Sequence, residues 1–157
     1  MQTVVEQAAP RADADTVELL LFRLDGDSQG QRSELFAMRV AYVREIVAMP
    51  ELTTLAGAPP HVLGLVNLRG HVIPVLDLPA LSGCIPATGL NIMLVTEFAG
   101  AIQAFAVEAV EEIVLLRRDC LVEADGFVGA IARLDDTASS APLAQVLDIA
   151  AILRPAR

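Results

Sequence analysis

A faint repeat runs the length of the chain and constrains its fold more than any other feature. Val43-Arg44-Glu45-Ile46-Val47 is echoed by Val110-Glu111-Glu112-Ile113-Val114, and Val75-Leu76-Asp77-Leu78 by Val146-Leu147-Asp148-Ile149. The two pairs keep their order and stand 67 and 71 residues apart. Ahead of the first block, Phe36-Ala37 is matched with Phe105-Ala106. A unit of about 65 residues buries only ~60% of the surface its unfolded chain exposes, so two such units gain by sharing a core. Within each unit the apolar runs have strand length and are separated by turn residues. This pattern predicts a mainly β fold of two small antiparallel barrels packed together.

The strands can be placed individually. Val17 to Leu24 and Glu34 to Val40 read as strands joined by the turn-rich Asp25 to Gln31. Tyr42 to Ala48 is expected as a short helix stopped by Pro50, and Pro59-Pro60 punctuates the next loop. Leu63 to Leu68 and Val72 to Leu76 form an expected hairpin around Arg69-Gly70-His71. Asp77 then reads as the N-cap of a short turn through Leu81. Ile92 to Glu97 and Ala101 to Val107 form another hairpin around Ala99-Gly100. Ile113 to Leu116, Phe127 to Leu134 and Ala144 to Leu147 complete the strands, and Asp148 to Leu153 closes with a helical turn. Residues 1–16, polar and Ala-rich, read as a flexible N-terminal tail ahead of one folded unit over 17–157.

Composition narrows the class of function. Hydrophobic residues make up 54% of the chain while aromatics make up 4% and Trp is absent, which predicts a close-packed aliphatic interior. The net charge of −9 opposes binding to nucleic acid and to anionic membrane surfaces. All 11 basic residues are Arg, so lysine nucleophiles, Schiff bases and a P-loop lysine are excluded. The longest uncharged stretch, Leu78 to Thr96, carries Pro79, Gly83, Pro86, Gly89 and Asn91 and is not expected to insert into a membrane as a helix. No signal peptide is expected, because no basic region or apolar core precedes Val17. Cys84 and Cys120 are then expected as free thiols in a cytoplasmic protein.

Few residues offer chemistry. The two histidines, His61 and His71, have no nucleophile motif beside them and read as surface loop residues. The cysteines show no metal-ligand spacing. Asp77 and Asp148 could form a carboxylate pair, but helix capping explains both more simply. Glu108, Glu111 and Glu112 read as a solvated acidic face rather than as metal ligands. No catalytic residue, metal or cofactor is therefore expected. A rival enzyme would need Asp77, His71 and Cys84 in one pocket; a structural homodimer paired through sheet edges is a third possibility. What remains is a binding surface at Asn67-Leu68-Arg69-Gly70, where Gly70 supplies the positive φ of a tight turn and Arg69 stands at its tip. Arg69 is either an ordinary exposed arginine, one paired with a carboxylate such as Glu45, or a contact for a partner. The second half has no good counterpart of this tetrapeptide; Gly129 to Arg133 is the nearest echo.

Val43-Arg44-Glu45-Ile46, then Pro59-Pro60, then the run from Gly64 to Leu78 (G-L-V-N-L-R-G-H-V-I-P-V-L-D-L) resemble the signature of the CheW-like domain family. The resemblance continues through Val95-Thr96-Glu97-Phe98, Gln103 to Val107 and Val110 to Val114, and ends at Val146-Leu147-Asp148-Ile149. It implies two intertwined five-stranded SH3-like barrels with short helices. It also implies a non-catalytic adaptor of bacterial chemotaxis and its two-component signalling. The implied partners are the regulatory domain of the histidine kinase CheA and the cytoplasmic tip of methyl-accepting chemoreceptors, with a receptor helix entering a groove between the barrels. The implied partner-binding residues are Arg69, Glu45 and Val43, together with Asn67 and Gly70 of the same turn. The T-E-F and Q-A-F-A-V runs resemble the N-terminal module of CheV, whose receiver would follow it, so an isolated module of that type is an alternative. A coupling protein of pilus-based motility is another. Relatives often carry D-L-R after the hairpin; here the run is Asp77-Leu78-Pro79. Ala138 to Ala141 lengthen the last loop.

Overall fold

A computed structural model describes residues 13–24, 35–81, 90–134 and 142–153. Eleven strands among these residues form two sheets. The first half of the chain supplies β1 (Thr16–Arg23), β2 (Leu35–Arg39), β3 (Val43–Ala48), β4 (Val62–Leu68), β5 (His71–Asp77) and the short helix α1 (Leu78–Leu81). The second supplies β6 (Ile92–Phe98), β7 (Ala101–Val107), β8 (Ala109–Arg117), β9 (Leu121–Glu123), β10 (Val128–Arg133), β11 (Leu143–Leu147) and α2 (Ile149–Ile152). The larger sheet runs β8-β1-β2-β11-β10-β9 and the smaller β3-β6-β7-β5-β4. Each half thus donates a hairpin to one sheet and its remaining strands to the other. Neither half can complete a sheet alone, which is how two undersized units come to share one interior.

The repeat is visible in the pairing. β1 with β2 corresponds to β6 with β7; β3 beside β6 corresponds to β8 beside β1. The parallel contact of β5 with β7, Val75 opposite Ala104, corresponds to that of β11 with β2, Val146 opposite Ala37. Even the irregularities recur. β3 slips register between Val43 and Glu45, and β8 does so at the equivalent place, between the partners of Leu21 and Phe22. β4 slips at Leu63 and β10 at Gly129. These registers correct one sequence match: Ala37 is equivalent to Ala104 and Met38 to Phe105, so the Phe36-Ala37 echo sits two residues off.

Among the described residues three apolar clusters hold the chain together. One lies within the smaller sheet (Val47, Ile73, Val75, Met93, Val95 among others) and one within the larger (Val17, Leu19, Leu21, Ala144, Val146). The third joins the two sheets and draws on equivalent residues of each half: Leu20 and Leu94, Met38 and Phe105, Val40 and Val107. The mainly β, SH3-like two-unit architecture with short helices expected from the sequence is the one observed, with β9 making a sixth strand in the larger sheet.

Several local expectations are met. Asp77 Oδ1 accepts from the Ala80 amide at 3.0 Å and Asp148 Oδ1 from the Ala151 amide at 3.3 Å, so both aspartates cap short helices. Cys120 is a buried free thiol, while Cys84 and Ala138 to Ala141 lie outside the described residues. Residues 1–12 of the expected tail also lie outside them, and β1 begins at Thr16. The helix expected over Tyr42 to Ala48 is absent: a single 3-10 turn, Val40–Tyr42, leads directly into strand β3. No helix among the described residues is long and apolar enough to cross a membrane.

Candidate functional site

The site is built on the β4–β5 hairpin. Leu68 pairs with His71, leaving a two-residue turn in which Arg69 has φ 53° and Gly70 φ 87°. Two successive left-handed residues match the twist of the strands they join. Nothing lies within 4 Å of a Cβ built on Gly70, so glycine is required there for its backbone angle rather than for space. Asn67 Oδ1 accepts from the Gly70 amide at 3.0 Å and pins the turn from inside. Arg69 has no such freedom; a left-handed arginine costs about 1–2 kcal/mol, so other contacts must hold it.

Glu45 supplies them. Arg69 donates through Nη1 to Glu45 Oε2 at 2.7 Å and through Nη2 to Oε1 at 2.8 Å, a two-pronged fork. The pair is unequal: the Glu45 side chain is 6% exposed and that of Arg69 62%. Burial of Glu45 follows from the register slip at Arg44. It turns Glu45 and Val47 to the face of the smaller sheet's cluster, while Val43 and Ile46 point into the shared core. The carboxylate therefore acts as an anchor, and the guanidinium is displayed with its plane and direction fixed. Around the pair, Arg44, Leu68, His71, Ile73, Val95 and Ile102 line a cavity of about 190 Å³.

Of the expected partner-binding residues, Arg69, Glu45, Asn67 and Gly70 come together here. Val43 does not: it is buried in the core between the sheets, on the opposite face of β3. The rival enzymatic trio is not brought together by the two members that are described. Asp77 caps α1 at one end of β5, and His71 begins the other end of that seven-residue strand.

A second feature lies at the seam between the sheets. Edge strands β3 and β8 border a cavity of about 460 Å³ walled by Leu20, Ile46, Ile92, Val110 and Ile113 and rimmed by Glu108, Glu111 and Glu112. Sequence reasoning expected a groove between the units but named none of its lining residues. The signal was present in the V-x-E-I-V block and its echo, whose two isoleucines, Ile46 and Ile113, both line the cavity. The reading of the three glutamates as a solvated face holds for two of them. Glu111 is exposed and receives Arg23 Nε at 2.6 Å, and Glu112 is exposed. Glu108 departs from it: the residue is half-buried, and its Oε2 is shielded from solvent without a hydrogen-bond partner among the described residues.

Comparison with known proteins gives this geometry its context. The chain belongs to the CheW-like domain family, whose match runs over residues 18–157. It is 34% identical over 98 residues to a probable chemotaxis protein CheW of Rhizobium etli, and equally so to chemotaxis protein CheW of Rhizobium meliloti; each alignment takes in 61% of this chain and 59% of the relative. It is 30% identical over 114 residues to chemotaxis protein CheV3 of Helicobacter pylori, covering 70% of this chain and 37% of that one. The chain thus spans under two thirds of the length of these curated relatives. The crystal structure of the scaffolding protein TtCheW from Thermoanaerobacter tengcongensis has the same fold, with a TM-score of 0.74 and 22% identity over 88% of this chain and 93% of that one.

Proposed function

We propose that this chain is a non-catalytic adaptor that couples methyl-accepting chemoreceptors to a CheA-type histidine kinase in chemotaxis signalling, working in the cytoplasm. The single observation that carries the reading is the displayed arginine. A CheW-like fold fixes Arg69 at a hairpin tip by a two-pronged contact to a buried carboxylate. A guanidinium so oriented offers a partner a rigid, directional donor set. On this reading Arg69 and Glu45 form the contact, Asn67 and Gly70 hold the turn, and Val43 supports β3 from the core side. The cytoplasmic tip of a receptor seats a helix in the seam groove, a helix-in-groove contact with apolar anchors. Residues 17–157 act as one unit.

The test is calorimetric titration of this chain into the regulatory domain of a CheA-type kinase from the same organism. Saturable one-to-one binding is expected; its absence removes the kinase from the reading. Arg69→Glu should weaken coupling in a reconstituted receptor–kinase assay while the fold persists. An unfolded Arg69→Glu chain would make the pair structural instead. A second reading, a module of the CheV type, is favoured by the alignment to CheV3, which takes in 70% of this chain; it uses the same two surfaces.

A further inference from the structure

The seam groove carries a charge that no described residue balances. Its walls are apolar, formed by Leu20, Ile46, Val110 and Ile113, and three carboxylates stand along one side. Arg23 neutralises Glu111, and water solvates Glu112. Glu108 follows β7 directly and is fixed through its backbone, its amide donating to the Arg23 carbonyl at 3.0 Å. The side chain lines the groove with Oε2 out of solvent and unpartnered among the described residues. A carboxylate oxygen desolvated beside apolar walls, without a donor, is unfavourable in the unbound chain. A cation brought in by an occupant relieves that cost, and the neighbouring carboxylates add to the attraction.

We propose that the helix filling this groove presents an arginine or lysine to Glu108, so that the groove selects its occupant by charge as well as by apolar fit. The proposal rests on the adaptor reading, which gives the groove a receptor helix, and deepens it by naming the side chain that helix must carry. An acidic or purely apolar helix of the same shape leaves Glu108 buried and unpaired, and is rejected for that reason.

The probe is the helical-hairpin tip of a methyl-accepting chemoreceptor from the same organism, titrated calorimetrically into the full chain at low and high salt. Val110→Asp, which puts a charge in the apolar wall, should abolish binding. Glu108→Gln should weaken it by about tenfold or more and flatten its salt dependence. The free Glu108→Gln chain should melt no lower than the parent, because a strained charge has been removed. Replacing the fragment's basic residues singly by Gln should find one whose loss is not additive with Glu108→Gln. Binding by Glu108→Gln within about twofold of the parent, with Val110→Asp inactive, would overturn charge selection and leave the groove standing. A Glu108→Gln chain that melts lower would make Glu108 a structural group and overturn it as well. A parent chain that does not bind the fragment, or a Val110→Asp chain that binds normally, would remove the receptor from the groove and the proposal with it.

Discussion

At one position in the two central hairpins the halves of the chain chose opposite chemistries. In β1 and β2, Phe22 lies opposite Phe36, and the rings stack with centroids 6.4 Å apart. In β6 and β7 the equivalent pair is Thr96 and Gln103, both buried. There Gln103 Nε2 donates to Thr96 Oγ1 at 3.1 Å, and that hydroxyl donates to the Gln103 carbonyl at 3.1 Å. The duplicated scaffold therefore prescribes which residues face each other, not how they attract. The apolar pair serves bulk burial. The polar pair satisfies its own groups and so resists a register slip, which matters because Thr96 also lies opposite Val43 on the strand that carries Glu45.

Truncation should expose this difference. Phe36→Ala removes a ring from the core joining the sheets and should cost about 3–5 kcal/mol. Gln103→Ala removes one internal hydrogen bond and should cost about 1–2 kcal/mol. Chemical denaturation measures both; equal losses would mean that the two positions are not counterparts in the packing.

A second contrast concerns the carboxylates of the repeated block. Glu45 is buried under Arg69, whereas its counterpart Glu112 is exposed. Glu45→Gln should cost about 1–2 kcal/mol, well short of a fully buried ion pair because Arg69 keeps most of its contact with water. Glu112→Gln should stay within about 0.5 kcal/mol. A double-mutant cycle of Glu45→Gln with Arg69→Met isolates the pair, and a coupling energy indistinguishable from zero would sink the idea that Glu45 orients the guanidinium.

What the sequence made legible was local. The β4–β5 hairpin could be read because Arg69-Gly70 breaks two apolar runs, and both helix caps could be read from an aspartate at the end of a strand. The helix expected over Tyr42 to Ala48 has a physical cause. The bulge at Arg44 shifts the alternation, leaving Val43, Ile46 and Val47 at helical spacing in what is a strand. The two-residue slip in matching Phe36-Ala37 preserved the inward and outward alternation, so nothing in the pattern betrayed it. β9 is three residues long and too short for any periodicity. The exchange of strands between the sheets is a non-local choice; the family resemblance implied a groove between the units, but its lining was visible only as a repeated block of valine, glutamate and isoleucine. Glu108 was misjudged because a run of acids looks the same whether its first member faces water or a cleft.

A small expected effect on stability, paired with a large one on binding, comes from the position that separates the two sides of the seam. Tyr42 packs edge-on against Phe98, ring centroids 5.7 Å apart at 70°. Its counterpart in the second half is Ala109, which lines the open groove. A tyrosine fills the one side, and an alanine leaves the other accessible. Ala109→Tyr should therefore restore the lost symmetry by closing the groove. The new ring enters open space rather than a packed interior, so the melting free energy should change by about 1 kcal/mol or less. Hydrogen exchange in β1 and β2 should be unchanged, while binding of the chemoreceptor tip fragment should be lost. If the fragment still binds Ala109→Tyr with its original affinity, the groove is not where it docks, and the contrast between Tyr42 and Ala109 is one of packing alone.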